Sequence, residues 1–195
     1  MNVQFTDKTK CIFKSTLLLI KDHGFHGTPM SQIAKHADVA IGTIYHYFPS
    51  KDNLILDLFE YCKQELYLYV FKDVNQKMSY KEKFFTVFKN FSDFHIQQRE
   101  YSCFFEQFYN SPYHEMVGEE ENEEGPYAQN VFLKFIHEGI ENRHLKSLHE
   151  QIICSAYIGT AITYSKNIVN GKIKYNEEQL TDLINIIWDG IKYNN

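Results

Sequence analysis

The chain has 195 residues, 44% of them hydrophobic and 23% charged, and its formal net charge is −5. This length and composition indicate a soluble globular protein of one or two domains with a substantial core. No apolar run approaches the roughly 20 residues that a bilayer-spanning helix needs, so a membrane protein is excluded.

The first predicted helix extends from about Thr6 to His23. Thr6 can cap its start, and Gly24 can end it. Three apolar side chains at helical spacing form its predicted inward face, namely Phe13, Leu17 and Ile20. Residues 1–10 contain no basic segment followed by an apolar one, so they are not a signal peptide, and we expect a cytoplasmic protein.

Residues 28–51 predict a helix-turn-helix followed by the start of another helix. Thr28 can accept a hydrogen bond from a free first-turn amide, and Pro29 suits the first helical position. The first short helix has apolar residues on one face, namely Met30, Ile33, Ala34 and Ala37. Residues 38–40 form the predicted turn. Such a pair of short helices can place one helix in a DNA groove while the other supports it.

The second short helix is predicted to begin at Ile41 or Gly42. It ends near Phe48, because Pro49 disfavours a helical conformation in the residue before it. Ile44 and Phe48 lie four residues apart and are expected to be buried together. The residues left on the remaining surface are Ile41, Thr43, Tyr45, His46 and Tyr47.

A long helix is predicted from Lys51 to about residue 72. Ser50 can cap it, and Asp52 lies at the positive end of its dipole. Its apolar residues at helical spacing are Leu54, Leu58, Phe59, Cys62 and Leu66. No linker rich in glycine or serine interrupts the chain here, which favours two coupled parts rather than two independent ones.

From Ser79 onward the sequence is rich in aromatic residues. Aromatic side chains at three- and four-residue spacing most simply form a helical core. Alternatively, some of them line a cavity for an apolar or aromatic ligand, with a few polar groups that orient it. The candidate ligand-binding residues are Tyr69, Phe88, Phe91, Cys103, Phe104, Phe108, Phe132, His137, Tyr157 and Tyr164.

Five glutamates within residues 119–124 precede Gly125 and Pro126. This pattern predicts a solvated loop before a helix over residues 127–142. The alternative is that the acidic run attracts a cationic ligand.

The last two predicted helices cover residues 151–167 and 177–192. The first has three small residues four apart, namely Ser155, Gly159 and Thr163, and the second has an apolar stripe of Leu180, Leu183, Ile184, Ile187 and Ile191. Paired with their symmetry mates, the two helices predict an intersubunit four-helix bundle. Alternatively, they close the core of their own chain.

Positive charge is concentrated at the end that carries the helix-turn-helix. The balance is +3 over residues 1–51 and −8 over the remainder. The positive end therefore suits DNA. Because the surplus is small, hydroxyl groups and helix N-termini are expected to supply part of the phosphate contacts.

No motif for catalysis or metal binding is present. The sequence lacks a G-x-S-x-G elbow, a glycine-rich phosphate loop and H-E-x-x-H, and its nine histidines form no convincing set of four ligands. The four widely separated cysteines indicate free thiols in a reducing compartment. We therefore expect no catalytic residues, no metal and no cofactor.

The order of residues over about 6–58 closely resembles the N-terminal signature of TetR-family transcriptional repressors. The matching residues are Leu17–Ile20, Gly24-Phe25, Thr28, Ile33-Ala34, Ala37, Val39, Gly42–Tyr45, Tyr47-Phe48, Ser50-Lys51 and Leu54. The resemblance implies an all-α protein of about nine helices. A three-helix helix-turn-helix domain would occupy residues 1–50, and a helical ligand-binding and dimerisation domain residues 51–195.

The resemblance also implies a function and partners. The protein would be a homodimer that binds a palindromic operator in double-stranded DNA and releases it when a small, largely apolar effector enters the C-terminal domain. The second short helix would lie in the major groove, where base edges can be distinguished. The implied DNA-binding residues are Ile41, Gly42 and Thr43 next to bases, Tyr45, His46, Tyr47, Thr28 and Lys51 on phosphates, and Gln32 on either.

Two residues depart from the family pattern. Ala40 stands where the family usually has a capping Ser or Thr, which costs about 1 kcal/mol. Ile41 stands where a polar or basic residue is frequent, and it could contact a thymine methyl group. These departures keep a second interpretation open, in which a helical interaction module has lost DNA binding. A small enzyme is the third.

Overall fold

The structure, a computed structural model, describes residues 5–117 and 131–194. These residues form ten α-helices, where about nine were predicted, and their only β-pairing is an isolated antiparallel bridge between Leu145 and Lys192. The all-α prediction is confirmed. The helices are α1 (Asp7–His23), α2 (Met30–His36), α3 (Ile41–Tyr47), α4 (Lys51–Phe71), α5 (Tyr80–Gln97), α6 (Arg99–Tyr109), α7 (Pro112–Met116), α8 (Val131–Glu141), α9 (Glu150–Val169) and α10 (Glu177–Ile191).

The described residues divide between two compact units. The N-terminal unit lies within Met1–Glu65 and Gln98–Pro126, and the C-terminal unit within Leu66–Gln97 and Tyr127–Asn195. The predicted boundary at residue 50 divides a DNA-binding domain from a ligand-binding and dimerisation domain, and it stays a prediction. The compact units divide the chain differently, because the first part of α4, α6 and α7 belong to the N-terminal unit.

Helix α1 has the start, end and inward face that the sequence predicts. The Thr6 hydroxyl accepts a hydrogen bond from the Thr9 amide at 3.2 Å, and Gly24 ends the helix with a φ of 69°. The inward side chains of Phe13, Leu17 and Ile20 are buried. The Phe13 ring lies 5.4 Å from that of Phe48 and 5.2 Å from that of Tyr61, so α1 packs against the end of α3 and the middle of α4.

Helix α6 packs along α1 within the N-terminal unit. The ring of Phe104 contacts that of Phe25 edge-on, with 5.9 Å between centroids. The ring of Phe108 stacks on Phe59 of α4 at 4.0 Å. This part of the aromatic-rich segment therefore builds the core of the N-terminal unit.

The C-terminal unit is built on the packing of α5 against α9. Its core contains Phe84, Phe88 and Phe91 from α5 and Tyr157 from α9, all of them buried. The Tyr157 hydroxyl donates to the Phe84 carbonyl at 2.6 Å, and the Tyr80 hydroxyl donates to the Phe135 carbonyl at 2.9 Å. Burial raises the pKa of both phenols, so they act only as neutral donors.

The last three helices agree with prediction where the structure describes them. Helices α9 and α10 begin and end within two residues of the predicted limits. The side chain of Asn176 caps α10 by accepting from the Gln179 amide at 2.9 Å. The acidic run, Gly125, Pro126 and the predicted first residues of α8 lie outside the described residues.

Within residues 5–117 and 131–194, no helix is both long enough and apolar enough to cross a membrane. The four cysteines, all of them in these ranges, are free thiols. The same residues contain no group of three or more side chains that could hold a metal ion.

Candidate nucleic-acid interface

Helices α2 and α3 form a helix-turn-helix in the N-terminal unit. The turn is held by backbone hydrogen bonds from the Ala37 amide to Ile33 at 2.9 Å and from the Val39 amide to Ala34 at 3.0 Å. Asp38 has a φ of 51°, a left-handed conformation that Asp adopts more readily than most residues. The predicted turn at residues 38–40 is therefore found where the sequence indicates it.

Helix α3 has a buried face and an exposed face. Ile44 and Phe48 are 0% and 2% exposed, as predicted, and fix the helix to the core. The opposite face is solvent-accessible, with Ile41 at 43%, Tyr45 at 51% and Tyr47 at 37%, and His46 exposed between the two tyrosines. The framework is thus anchored by two side chains while the remaining ones can contact a ligand.

The leading end of α3 leaves room for close approach. A Cβ atom added to Gly42 would meet nothing within 4 Å. Thr43 is half-buried, so only part of its side chain is accessible. Ala40 occupies the N-cap position and supplies no side-chain hydrogen bond, because a methyl group has no acceptor atom. The structure therefore agrees with the sequence that α3 has no side-chain cap at its N-terminus.

Two residues assigned to phosphate contacts bond within the protein instead. Thr28 is fully buried and its hydroxyl donates to the Gly24 carbonyl at 2.8 Å, while Pro29 takes the N-cap position of α2. The prediction that Thr28 caps α2 is therefore wrong, because Pro29, and not Thr28, directly precedes the helix. The Lys51 ammonium donates to the Phe25 carbonyl, and burial lowers its pKa despite the opposing effect of Asp52.

Gln32 on α2 and Ser50 before α4 complete the predicted features of this surface. Gln32 is half-buried on α2, beside the exposed Lys35 and His36. The Ser50 hydroxyl accepts from the Asn53 amide at 3.2 Å, so the predicted cap of α4 is confirmed.

Helices α6 and α7 support the motif in a way that sequence reasoning missed. The Gln107 side-chain amide donates to the Ile20 carbonyl at 3.1 Å. The Tyr113 ring lies 5.2 Å from that of Phe25, and its hydroxyl hydrogen-bonds to Asp52 at the start of α4. Burial and this carboxylate raise the pKa of Tyr113 to about 12. No local pattern signals these contacts, because the partners lie far apart in the sequence.

The predicted ligand-binding residues are not brought together. Seven lie in the C-terminal unit. Five of these belong to its core, namely Phe88, Phe91, Phe132, Tyr157 and Tyr164, and Tyr69 is less buried and donates to Gln97 at 3.0 Å. Three belong to the N-terminal unit, namely Cys103, Phe104 and Phe108. His137 is exposed, and its ring contacts Glu150 at 2.5 Å and Glu141 at 3.1 Å.

The predicted dimer residues also divide into two sets. Ser155, Gly159 and Thr163 are exposed on α9. Leu180, Ile184, Ile187 and Ile191 are buried in the core of their own unit, at 8% exposure or less. Their assignment to an interface is revised, because the α10 stripe closes the core of its own chain. Sequence reasoning missed the two large apolar side chains that are most exposed among the described residues, Ile152 at 61% and Ile186 at 70%.

Two family models match the chain. Bacterial regulatory proteins of the tetR family match residues 12–58, which contain the helix-turn-helix. The tetracyclin repressor-like C-terminal domain matches residues 79–192, more than half of the chain.

Individual proteins agree with the family models. The chain is 35% identical over 82 residues to the fatty acid metabolism regulator protein of Bacillus subtilis, an alignment that covers 42% of each chain. It is 42% identical over 50 residues to the HTH-type transcriptional repressor KstR of Rhodococcus jostii, covering 26% of this chain and 24% of that one. These matches thus span less than half the length of the curated relatives.

The fold itself agrees over nearly the whole chain. The crystal structure of a TetR-family transcriptional regulator from Haemophilus influenzae superposes with a TM-score of 0.81. The superposition covers 95% of this chain and 97% of that one, at 24% sequence identity. At this identity the likeness establishes the fold and not the ligand.

Proposed function

The chain belongs to the TetR family of bacterial regulatory proteins, and from this premise we propose that it is a homodimeric repressor that releases a palindromic operator when a small effector binds. It is a transcriptional regulator with an N-terminal DNA-binding domain, and its relatives are regulators rather than enzymes. The observation that carries the proposal is the exposed face of α3. The opposite face of the helix is fixed to the core by the buried side chains of Ile44 and Phe48.

Base contacts are assigned to the leading end of α3. The open space at Gly42 lets the helix backbone approach the floor of the major groove. Thr43 offers a hydroxyl group, and the exposed Ile41 offers an apolar surface that fits the methyl group of thymine. We therefore expect an operator with at least one thymine at the position that faces Ile41.

Phosphate contacts are assigned to the exposed Tyr45, His46 and Tyr47, with Gln32 on either a base or a phosphate. Hydrogen bonds to phosphates fix the register of a protein on DNA without carrying sequence information. Thr28 and Lys51 would hold the loop between α1 and α2 through their bonds to Gly24 and Phe25. A phosphate contact from Lys51 requires its ammonium group to leave the Phe25 carbonyl.

The homodimer is assigned to the outer faces of α9 and α10. Ser155 donates to Gln151 at 2.6 Å and Thr163 donates to Gly159 at 2.8 Å, both within α9. Because these hydroxyl groups are already satisfied, another helix can cover them without leaving a buried polar group unpaired. Ile152 and Ile186 would then supply the apolar contacts. A dimer that holds its two α3 helices about 34 Å apart would fit two major-groove sites separated by one turn of DNA.

The effector is assigned to the aromatic core of the C-terminal unit. Phe88, Phe91 and Tyr157 supply apolar contacts there, and the buried Ser92 hydroxyl has no hydrogen-bond partner among the described residues. A small, largely apolar molecule with one polar group fits this chemistry. Only Gln98 separates α5 of this unit from α6 of the N-terminal unit in the sequence. Movement of α5 would therefore move α6, whose Gln107 donates to the Ile20 carbonyl. An effector acts by favouring one of two arrangements.

The test is operator selection from a pool of random double-stranded DNA. We expect the full-length protein to enrich a palindrome whose half-sites lie about one helical turn apart. Its affinity, measured by fluorescence anisotropy, should fall steeply with salt, because each neutralised phosphate releases counterions. Failure to enrich any sequence would favour the second candidate, an interaction module that the uncapped Ala40 and apolar Ile41 suggest.

A further inference from the structure

A cleft of about 320 Å³ opens on the C-terminal unit, and its lining contains none of the residues named above for DNA, dimer or effector. Its walls come from the start of α5, the loop between α8 and α9, and the end of the chain after α10. The cations that line it are Lys81, Arg143 and Lys192. Among the described residues of its lining there is no carboxylate, so the cleft favours an anion.

Backbone hydrogen bonds hold the walls of the cleft in place. The Tyr193 amide donates to the His144 carbonyl at 2.9 Å, and the Lys146 amide donates to the Ile191 carbonyl at 2.8 Å. The Tyr80 ring stacks on the His144 ring, with 4.9 Å between centroids and 10° between planes. The cleft is therefore formed before any ligand binds, which reduces the entropy lost on binding.

The Arg143 side chain is placed on the wall by an unusual backbone. Its φ is 56°, in the left-handed region that glycine adopts most readily. The turn needs this conformation because the amides of both His144 and Leu145 donate to the Gly139 carbonyl, at 2.8 and 2.9 Å. Residues other than glycine rarely adopt this conformation, and here it fixes where the Arg143 side chain leaves the backbone.

Aromatic surface accompanies the positive charge. Trp188 and Tyr193 line the same cleft, and the Lys81 ammonium lies 5.9 Å from the centre of the Trp188 ring. Guanidinium groups bind phosphate through paired hydrogen bonds. Aromatic side chains bind planar rings by stacking.

We propose that this cleft binds a phosphorylated small molecule that carries a planar ring and has the size of a mononucleotide. Its phosphate would bind Arg143 and Lys81, and its ring would stack on Tyr193, which is 42% exposed beside the nearly buried Trp188. The volume lies at the lower end of the range for small-molecule sites, about 300–1,000 Å³, which suits one nucleotide and not a larger cofactor. The proposal is independent of the proposed function, because none of these residues is assigned to DNA or to the effector.

Two neighbouring acids limit the affinity. Burial and, secondarily, the charge of the nearby Glu138 raise the pKa of Tyr80, which lines the cleft. The Asp189 carboxylate accepts from the Lys192 ammonium at 2.8 Å, and Lys192 and Lys81 both lower its pKa. Asp189 therefore competes with a bound phosphate for Lys192 and repels it. Removing the Asp189 carboxylate should therefore raise the affinity of the cleft for a phosphate.

The protein contains a built-in probe for this test, because Trp188 is its single tryptophan. Adenosine 5′-monophosphate (AMP), ribose 5-phosphate, inorganic phosphate and adenosine are titrated against the full chain, with indole fluorescence excited at the red edge of its absorption. We expect a saturable change with AMP, weaker binding of ribose 5-phosphate and phosphate, and none of adenosine. No saturable change with AMP, or equal affinity for phosphate alone, would overturn the proposal.

Variants separate the cleft from general charge. Arg143→Gly suits the left-handed backbone, so it should keep or raise the melting temperature while weakening AMP binding about tenfold or more. Lys81→Gln should weaken it in the same way, Asp189→Asn should tighten it, and Lys172→Gln, an exposed lysine outside the cleft, should leave it unchanged. Unchanged AMP affinity in folded Arg143→Gly and Lys81→Gln would refute the site.

Discussion

The side-chain amide of Gln107 donates a hydrogen bond to the carbonyl of Ile20, with 3.1 Å between the two atoms. The same carbonyl accepts from the Gly24 amide at 2.8 Å, where α1 ends. Helix α6 is thus bonded to the helix behind the DNA-binding motif at the point where that helix stops. In the proposed mechanism, movement of α6 would act on this pair of residues.

Replacing Gln107 by leucine should separate stability from signalling. The loss of one hydrogen bond costs about 1 kcal/mol, or about 2–4 °C in melting temperature for a chain of this size. We also expect the effector to release operator DNA less completely, because α6 is no longer bonded to α1. Urea unfolding and anisotropy with and without effector measure the two effects. Gln76→Leu, at an exposed loop position, is the control and should change neither.

A capping residue restored at position 40 should stabilise α3. Ala40→Ser offers a side-chain oxygen to the free amides of the first turn, and we expect a gain of about 0.5–2 kcal/mol in unfolding free energy. Ala156→Ser, the same change at an exposed position inside α9, should be neutral or slightly destabilising. Equal effects of the two variants would mean that the N-terminus of α3 needs no cap.

The Tyr45 hydroxyl should contribute to binding of all DNA sequences alike. Tyr45→Phe leaves the packing of an exposed ring unchanged, and we expect affinity to fall about tenfold for operator and non-operator DNA, because a bond to a charged phosphate is lost. Thr43→Val should instead change the ranking among operator variants. Tyr175→Phe, an exposed tyrosine of the C-terminal unit, serves as the control. A sequence-dependent loss in Tyr45→Phe would contradict the phosphate assignment.

A charge at Ile186 should dissociate the dimer without unfolding the chain. The side chain is 70% exposed within its own chain, so Ile186→Glu leaves the core intact. Burying the new carboxylate between two subunits is strongly unfavourable, and we expect sedimentation at micromolar concentration to show a monomer. Leu68→Glu, at a leucine that is 56% exposed, should remain dimeric. A stable Ile186→Glu dimer would place the interface elsewhere.

Acid should destabilise the protein partly through His95. Burial and, secondarily, the charge of Lys166 lower the pKa of this histidine to about 4. An unfolded histidine has a pKa near 6.5, so between about pH 6.5 and 4 the unfolded chain binds more protons and stability falls as pH falls. His95→Gln should flatten this part of the stability profile.

His137 provides the matched comparison, because its pKa is shifted in the opposite direction. Glu150 and Glu141 raise the pKa of His137, so its contribution is present below the unfolded value and lost as pH rises through the folded one. His137→Gln should therefore change the profile above about pH 6.5 and leave the acid side as it is. Identical profiles for the two variants would refute both assignments.

The parts of the fold that depend on neighbours in sequence were predictable. Thr6, Gly24 and Ser50 lie where the pattern indicates helix ends, because capping involves residues within one turn. The buried pair Ile44 and Phe48 follows from helical periodicity in the same way.

Apart from the Thr28 cap, the remaining errors share one physical cause. Periodicity shows that a helix has an apolar face but not which element covers it. The sequence predicts the stripe that includes Leu180 and Ile184 at a subunit interface, but it lies in the core of its own unit. Phe104 and Phe108 pack in the N-terminal unit. The cation-lined cleft was likewise hidden, since its walls come from three distant parts of the chain.

The hydroxyl bonds inside α9 have a consequence for the order of events in the cell. Ser155 and Thr163 keep the same acceptors whether their face is covered by water or by another helix. In the proposed dimer these bonds would not have to be exchanged when two chains meet, so association would be a step separate from the folding of α9. The concentration of the protein would then set the fraction that is paired.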